Sequence, residues 1–206
     1  MDGSTLADDV RDDYETPISR LGSSKWIYAL TGGEMDADHV RDAANDDAQT
    51  AANVFEEWAK TEADDDAAAL FREVVEAATT RRERIDSEAG TPDIERPMYE
   101  VLLDLDDTAE RLGGLLGWAL VERQTVGQMV GFFVGDADPR TADLFREVRG
   151  DVEEHRDRTV ALLDEACESD DDWETAATAA GAVVEAAYDE YVETLESMGV
   201  KPKNVC

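Results

Sequence analysis

A five-residue segment, Leu-Phe-Arg-Glu-Val, occurs twice in the chain, at residues 70–74 and again at residues 144–148. Identical residues continue beyond the segment at the same offset, as in the pairs Ala68 with Ala142, Arg82 with Arg156, and Arg84 with Arg158. One position differs in chemistry, because Arg81 in the first copy stands where His155 stands in the second. Two copies of one amphipathic helix predict a helical bundle with two pseudo-symmetric halves.

Length and charge bound the fold class. The chain has 206 residues, enough for one domain or for two closely packed halves. It carries 51 Asp and Glu against 19 Lys and Arg, a formal net charge of -32, yet 42% of its residues are hydrophobic. That apolar content predicts a packed core rather than an acidic disordered chain. An acidic, Lys-poor sequence of this kind is typical of proteins that stay soluble in concentrated salt, and at low ionic strength its self-repulsion opposes the compact state.

The charge also argues against nucleic acids and anionic membrane surfaces as direct partners, because both attract Lys and Arg. The densest basic cluster, residues 81–84, is short and contains Glu83.

The apolar stretch at residues 113–135 has the length of a transmembrane helix, but Glu122 and Arg123 interrupt it and charged groups are costly at bilayer depth. We therefore expect no membrane span.

Cysteine usage indicates the compartment. The two cysteines, Cys167 and Cys206, form no disulfide framework and no CxxC motif. This usage fits a reducing cytosol, and no signal peptide precedes the first polar helix. A cytoplasmic location is therefore predicted.

Apolar residues at helical spacing predict about six helices and no strand. The helices are expected at roughly residues 5–30, 36–60, 65–87, 99–134, 139–167 and 172–198. Pro17 should kink or split the first, and the Gly113-Gly114 pair should bend the fourth. The whole chain, residues 1–206, is expected to form one antiparallel bundle, with its parts at about residues 5–88 (first half), 88–97 (connector), 98–198 (second half) and 199–206 (loose tail).

Glycines recur at four-residue spacing in the stretch 113–135, as Gly113 with Gly117 and then as Gly127, Gly131 and Gly135. Small residues at this spacing let two helix backbones approach closely. They predict either tight packing inside the bundle or a helix–helix face through which two copies of the chain form a homodimer.

Four ionisable residues fall on or beside predicted apolar stripes: Asp47, Arg81, Glu122 and His155. One interpretation is structural, since an Asp and an Arg can form a buried ion pair and a residue at the edge of a stripe can reach water. The other is functional, because bundles build sites from inward-pointing side chains and a neutral imidazole binds metals well. A mononuclear site that joins His155 to Glu122, Asp47 or Glu154 is therefore one candidate.

A di-iron site makes a stricter demand: one Glu from each of two helices, and a Glu-x-x-His element from each of the other two. The chain has only two histidines, His39 and His155. His39 lies at a predicted helix start, where Asp36 is an N-cap candidate. The repeat equivalent of His155 is Arg81, which cannot ligate a metal because it stays protonated. A complete di-iron shell is therefore not encoded, and no P-loop, GxSxG or HExxH motif offers another chemistry.

Several short sequence segments, spread over about residues 6–167, resemble segments of a known protein family. They lie at residues 21–25, 30–35, 55–59 (Phe-Glu-Glu-Trp-Ala), 131–135 and 144–148. These phrases resemble the ferritin-like superfamily, and more closely the rubrerythrin-like proteins of haloarchaea. The resemblance implies a cytoplasmic antiparallel helical bundle, with a di-iron centre in members that keep the ligands. Such members carry Glu-x-x-His on the helix after the aromatic phrase, whereas residues 79–82 place Thr and Arg at those positions.

Three functions follow from the residues and the resemblance. The leading hypothesis is a non-catalytic ferritin-like protein with a degenerate metal site and no cofactor, which acts as a binding or stress-associated module. The alternative is a rubrerythrin-type peroxidase or oxidase with one or two irons. Its ligands, taken by helix position, are Glu15, Glu56, Glu122 and His155. A third hypothesis is a regulator of transcription that acts through protein contacts, since the acidic surface disfavours direct DNA binding.

Overall fold

The computed structural model describes residues 1–85, 87 and 96–202, and within these residues the protein is all-helical, as predicted. The helices of the described residues are α1 (Gly3–Asp13), α2 (Glu15–Leu21), α3 (Ser24–Leu30), α4 (Ala37–Thr61), α5 (Asp65–Arg84), α6 (Pro97–Leu103), α7 (Thr108–Gly135), α8 (Pro139–Ala166) and α9 (Asp170–Ser197). Most of the predicted connector, at residues 88–97, lies outside the described part of the chain.

Two of the predicted helices are divided, and not where the sequence pattern placed the break. The first becomes α1, α2 and α3, with breaks at Tyr14 and at Gly22-Ser23. Pro17 lies in the first turn of α2, where its missing N–H costs no intrahelical hydrogen bond. The fourth becomes α6 and α7, because Asp107 starts a new helix with a capping box, while Gly113-Gly114 lies inside α7.

The two copies of the repeated segment form α5 and α8. Each helix begins after an N-cap aspartate, Asp64 or Asp138, that lies six residues before the shared Leu. The two helices pack against each other, and two ion pairs of the same kind join them. Arg84 Nη2 lies 2.7 Å from Glu147 Oε2, and Arg158 pairs with Glu73 at the other end of the contact. Because each pair joins the same two repeat positions, the helices are antiparallel and related by a local pseudo-twofold axis.

Helix α7 lies at the centre of the bundle, because it packs closely against both α8 and α9. Gly113 and Gly117 face the backbone of Ala176 and Ala180 on α9, and a Cβ atom at either glycine would collide with it. The first glycine pair thus serves tight packing within the chain, one of the two predicted roles. Beside Gly127, Gly131 and Gly135, in contrast, an added Cβ would meet no atom within 4 Å in the described structure.

Most of the core is one apolar cluster in which residues from α4, α5, α7 and α9 interdigitate around four aromatic rings, those of Phe55, Trp58, Phe71 and Trp118. A smaller cluster lies around the stacked rings of Phe133 and Phe145, whose centroids are 5.6 Å apart. In the part of the chain that the structure describes, no helix combines the length and the apolar character needed to cross a membrane.

Candidate functional site: a buried polar centre

The four ionisable residues predicted on apolar stripes are all buried. Asp47 is 3% exposed, Arg81 5%, Glu122 1% and His155 8%. They come one each from α4, α5, α7 and α8, so each half of the bundle supplies two of them. Charged groups at such depth are stable only when they are paired and hydrogen-bonded.

Arg81 lies between two carboxylates that come from different halves of the bundle. Its Nη2 donates to Asp47 Oδ2 at 3.0 Å, and its Nη1 donates to Glu122 Oε1. The guanidinium therefore donates to carboxyl groups on α4 and on α7 at once, and it connects the two halves through its flat, rigid fork of donors.

A second guanidinium completes the arrangement from outside the long helices. Arg96, just before α6, donates from Nη1 to Asp47 Oδ1 at 2.5 Å and from Nε to Glu190 Oε1 at 3.1 Å. Tyr99 donates its hydroxyl hydrogen to the same Asp47 oxygen at 2.8 Å. Both oxygens of Asp47 are thus occupied by donors. We call the set Asp47, Arg81, Arg96, Tyr99, Glu122 and Glu190 the polar centre.

The pKa values of the two interior carboxyls move in opposite directions. Burial alone would raise the pKa of Asp47, but Arg96 and Arg81 outweigh burial and hold it below its ordinary value. Burial, helped by the negative charge of Asp47, raises the pKa of Glu122 to about 8 despite the contact with Arg81. Two neighbouring carboxyls that differ in this way share one proton near neutral pH, and it resides on Glu122. With that proton bound, two guanidiniums balance Asp47 and Glu190, and the polar centre is neutral.

His155 lies beside the polar centre rather than inside it. Together with Arg81 it lines a cavity of about 20 Å³, room for about one water molecule. Apart from Trp118, the walls come in repeat-equivalent pairs from α5 and α8: Val74 and Val148, Ala77 and Asp151, Ala78 and Val152, Arg81 and His155. The cavity therefore lies on the pseudo-twofold axis. Burial lowers the pKa of His155, so its imidazole is neutral near pH 7.

A wider cavity of about 260 Å³ leads from the surface to the opposite side of the polar centre. Asp47, Arg96 and Glu190 form its inner wall, and Asp42 and Asp46 lie along it. Burial and the nearby Asp42 raise the pKa of Asp46. Solvent thus reaches the outer face of the Arg96 pairs, whereas Arg81 and Glu122 line no part of this cavity.

The ligands predicted for a metal enzyme do not come together as one site. Glu15 and Glu56 are exposed, and Glu56 pairs with Lys60 on the surface of α4 at 3.2 Å. Glu122 is buried against Arg81, and His155 lies at the axial cavity. Glu154, the third partner considered for a mononuclear site, is exposed.

A three-residue group near the start of α4 brings metal-ligating atoms within 4.8 Å of one another, and it is the one such group in the described ranges: Glu34, Asp36 and His39, all exposed. Both nitrogens of His39 already face carboxylates, Nδ1 with Asp36 at 2.8 Å and Nε2 with Glu34 at 3.2 Å. The hydrogen bond to Asp36 raises the pKa of His39. Asp36 also accepts from two amides of α4, which confirms it as the predicted N-cap and explains the cluster as a capped, ion-paired helix start.

The polar centre does not fit a paired metal site. Arginine stays protonated and offers no lone pair, and the contacts with Glu122 and Asp47 raise the pKa of Arg81 although burial opposes them. The oxygens of Asp47 are already taken by Arg81, Arg96 and Tyr99. Any cation added between these carboxylates would lie next to two guanidiniums, which would repel it.

Sequence reasoning missed three members of the polar centre. Arg96 and Tyr99 lie around the start of α6, in a region read as a connector and a helix start. Glu190 is 17% exposed and lies next to Tyr191, at the edge of the apolar stripe of α9. One signal was present in the sequence, because two interior carboxyl groups, Asp47 and Glu122, stand against the single interior guanidinium of Arg81.

Comparison with known proteins gave no match: neither a protein-family model, nor a curated protein, nor a solved structure matches this chain.

Proposed function

We propose that this chain is a non-catalytic, ferritin-like helical bundle of the rubrerythrin-like type, in which a buried guanidinium occupies the place of metal ions. In this proposal it serves a salt-adapted archaeal cell as a cytoplasmic binding or stress-associated module. The observation that carries the proposal is the position of Arg81, which donates to Asp47 of α4 and to Glu122 of α7 from between them.

The arrangement of helices α4, α5, α7 and α8 supports this proposal. A bundle that binds two metals places inward carboxylates on facing helices and histidines on the partner helices. Here Asp47 and Glu122 occupy the carboxylate role, while Arg81 and His155 occupy the histidine role at equivalent repeat positions. One substitution in that pattern, arginine for histidine, supplies a fixed positive charge and removes a ligand. The interior keeps its charge balance without an ion.

The catalytic alternative makes different demands on the same residues. A peroxidase or oxidase needs exchangeable coordination positions, and therefore carboxylates whose oxygens are free to bind metal. In the polar centre Arg81, Arg96 and Tyr99 donate to both oxygens of Asp47, and Arg81 also donates to Oε1 of Glu122. The geometry thus favours a structural ion network over a reaction centre.

Metal analysis tests the proposal directly. The protein, purified in molar KCl, should contain no stoichiometric iron, manganese or zinc. Added Fe²⁺ should leave its Tm unchanged, because any ligand that binds only the folded state must raise it. Stoichiometric metal that is lost in His155→Ala would overturn the proposal.

A gain-of-function variant sharpens the test. Arg81→His returns an imidazole to the position opposite His155 and removes the donors from Oδ2 of Asp47 and Oε1 of Glu122, so this variant should bind Co²⁺ with the visible absorption of a protein-bound ion. Arg72→His places the same substitution on an exposed position of α5 and is the matched control. Far-UV circular dichroism establishes that both variants are folded. Equal Co²⁺ binding by both variants would contradict the assignment of the polar centre as a former metal site.

A further inference from the structure

A third cavity, rich in arginine, lies where α4, α5 and α8 meet. It has a volume of about 380 Å³ and is lined by three arginines, one from each of these helices: Arg41, Arg84 and Arg140. Asp138 is the single acidic residue among its described lining residues. Asp38 and Glu147, just outside the lining, also pair with Arg41 and Arg84, so Arg140 carries the one positive charge of the cavity that has no ion-pair partner among the described residues. In a chain whose net charge is -32, such a cavity is a strong local exception.

The three guanidiniums are held to different degrees. Arg41 is fixed, because its Nη2 donates to Asp138 Oδ2 at 2.9 Å and its guanidinium lies 5.2 Å from the centre of the Phe133 ring. Arg84 pairs with Glu147 on the surface, an interaction that contributes little to stability and is readily exchanged. Arg140 is exposed and has no ion pair within the described residues.

The internal repeat supplies a comparison. The residue of α5 that corresponds to Arg140 is Asp66, and the first turn of α5 also contains Asp65. Acidic residues stabilise the start of a helix through its dipole, and a basic residue there is unfavourable. The first turn of α8 contains no acidic residue and has Arg140 instead. The positive charge of this cavity is therefore not explained by the stability of α8, and it is absent from the equivalent place in α5.

We propose that this cavity binds the phosphate group of a small phosphorylated molecule. Guanidinium groups match phosphate oxygens with paired hydrogen bonds, and the start of α8 contributes its dipole in the same direction. Ile85 and Leu144 offer an apolar wall for the carbon part of the ligand. The volume lies within the range of small-molecule sites.

The surrounding surface favours a small ligand over an acidic protein or a nucleic acid. A large polyanion approaches many of the 51 acidic residues and is repelled by them. A small anion inside the cavity interacts mainly with the nearest charges, because the screening length is only about 3 Å in molar salt. Arg140 is then the nearest charge without a carboxylate partner among the described residues, and the exposed pair of Arg84 with Glu147 exchanges readily with an added anion.

Titration with inorganic phosphate and with phenyl phosphate, followed by ¹⁵N NMR in molar KCl, tests this site. Both should bind saturably, with shifts centred on the first turn of α8, and phenyl phosphate should bind more tightly because it reaches the apolar wall. Arg140→Asp, which copies the residue found in the other repeat, should weaken binding about tenfold or more, since it removes a charged hydrogen-bond donor and adds a negative charge.

Arg149→Asp is the matched control, because Arg149 is an exposed arginine on the same helix but does not line the cavity. It should leave phosphate binding unchanged. The proposal fails if wild-type protein shows no saturable shifts up to about 10 mM phosphate, ten times a millimolar Kd. It also fails if both variants weaken binding equally, which would indicate a general charge effect.

Discussion

Arg84 and Glu147 form an ion pair between α5 and α8 at 2.7 Å, and Arg158 and Glu73 form the same pair at the opposite end of that contact. The repeat is therefore expressed as symmetry in three dimensions and not only as a likeness of sequence. The axis passes through the small cavity between Arg81 and His155. The surface of this contact keeps the symmetry, whereas the interior breaks it by placing a fixed cation on one side and a neutral imidazole on the other.

The pKa of Glu122 predicts how stability changes with pH. Its folded value of about 8 lies above the ordinary value of 4.5, so between the two the folded protein holds a proton that the unfolded chain has released. This group therefore makes the free energy of unfolding decrease as pH rises from about 5 to 8, by on the order of a few kcal/mol. Glu122→Gln should remove that decrease, as measured by urea unfolding in molar KCl at several pH values.

Other groups do not produce the same difference between wild type and variant. The pKa of Asp47 is lowered, so its contribution to stability changes only below pH 4. Burial lowers the pKa of His155, so its contribution increases with pH up to about 6.5 and has the opposite sign. Asp47 and His155 are present in wild type and in Glu122→Gln alike. Subtracting one profile of unfolding free energy against pH from the other therefore leaves the contribution of Glu122. Parallel profiles would show that Glu122 is ionised throughout this pH range.

Removing the central guanidinium should be strongly destabilising. In Arg81→Met, the ionised Asp47 stays buried while one of its two cations is lost, and breaking a buried pair in this way costs about 3–5 kcal/mol. Chemical denaturation measures the loss. Arg72→Met, at an exposed position of the same helix, should change stability by less than about 0.5 kcal/mol.

A double variant separates charge from packing. If the loss arises from uncompensated charge, Asp47→Asn should restore part of the stability of Arg81→Met, because the ionised carboxylate of Asp47 no longer needs a second cation. If Asp47→Asn adds its own loss without recovery, the two side chains are not coupled and the polar centre is not an ion network.

The sequence predicted the interior ion pair better than its surroundings. Helical periodicity located Asp47, Arg81 and Glu122 on buried faces, because burial of a long helix follows directly from its apolar stripe. The same periodicity cannot locate Arg96, which precedes α6 and reaches the polar centre only through the way that short helix docks against α9. The partner of a buried charge is a tertiary property, and the local pattern does not contain it.

Helix position alone proved insufficient for the proposed metal ligands. Glu15 and Glu56 lie on helices that surround the core, yet both side chains are exposed. A residue one position away on an α-helix is rotated by about 100°, so a ligand choice needs the correct face as well as the correct helix. Glu56 lies directly after Phe55, which is fully buried, and for that reason points away from the interior.

The glycines of α7 should respond differently to the same substitution. Gly113→Ala should be strongly destabilising, because its Cβ would collide with the backbone of Ala176 on α9 and the two helices would have to separate. Gly131→Ala meets open space, so we expect it to gain about 0.5–1 kcal/mol from the higher helix propensity of alanine. Thermal unfolding of the two variants measures both effects.

The homodimer predicted from glycine spacing can now involve only the second half of α7, since Gly113 and Gly117 are covered by α9. Sedimentation of wild type and of Gly131→Leu tests it, because a bulky side chain would separate two helices that meet there. A dimer that persists unchanged in Gly131→Leu would exclude this face, as would a wild-type monomer at every concentration.

Salt should stabilise the protein over a wide range of concentration. With a net charge of -32, the folded state brings like charges together, and at low ionic strength their repulsion acts across distances of about 10 Å or more. Raising KCl from about 0.1 M to molar concentration shortens that distance to about 3 Å and relieves the repulsion, and each kcal/mol gained raises the Tm by about 2–4 °C for a chain of this size. Sucrose at matched osmolality is the control, because it stabilises folded proteins by exclusion but screens no charge. A Tm that rises equally in sucrose and in KCl, or that stays flat in KCl, would show that surface repulsion does not limit the stability of this bundle.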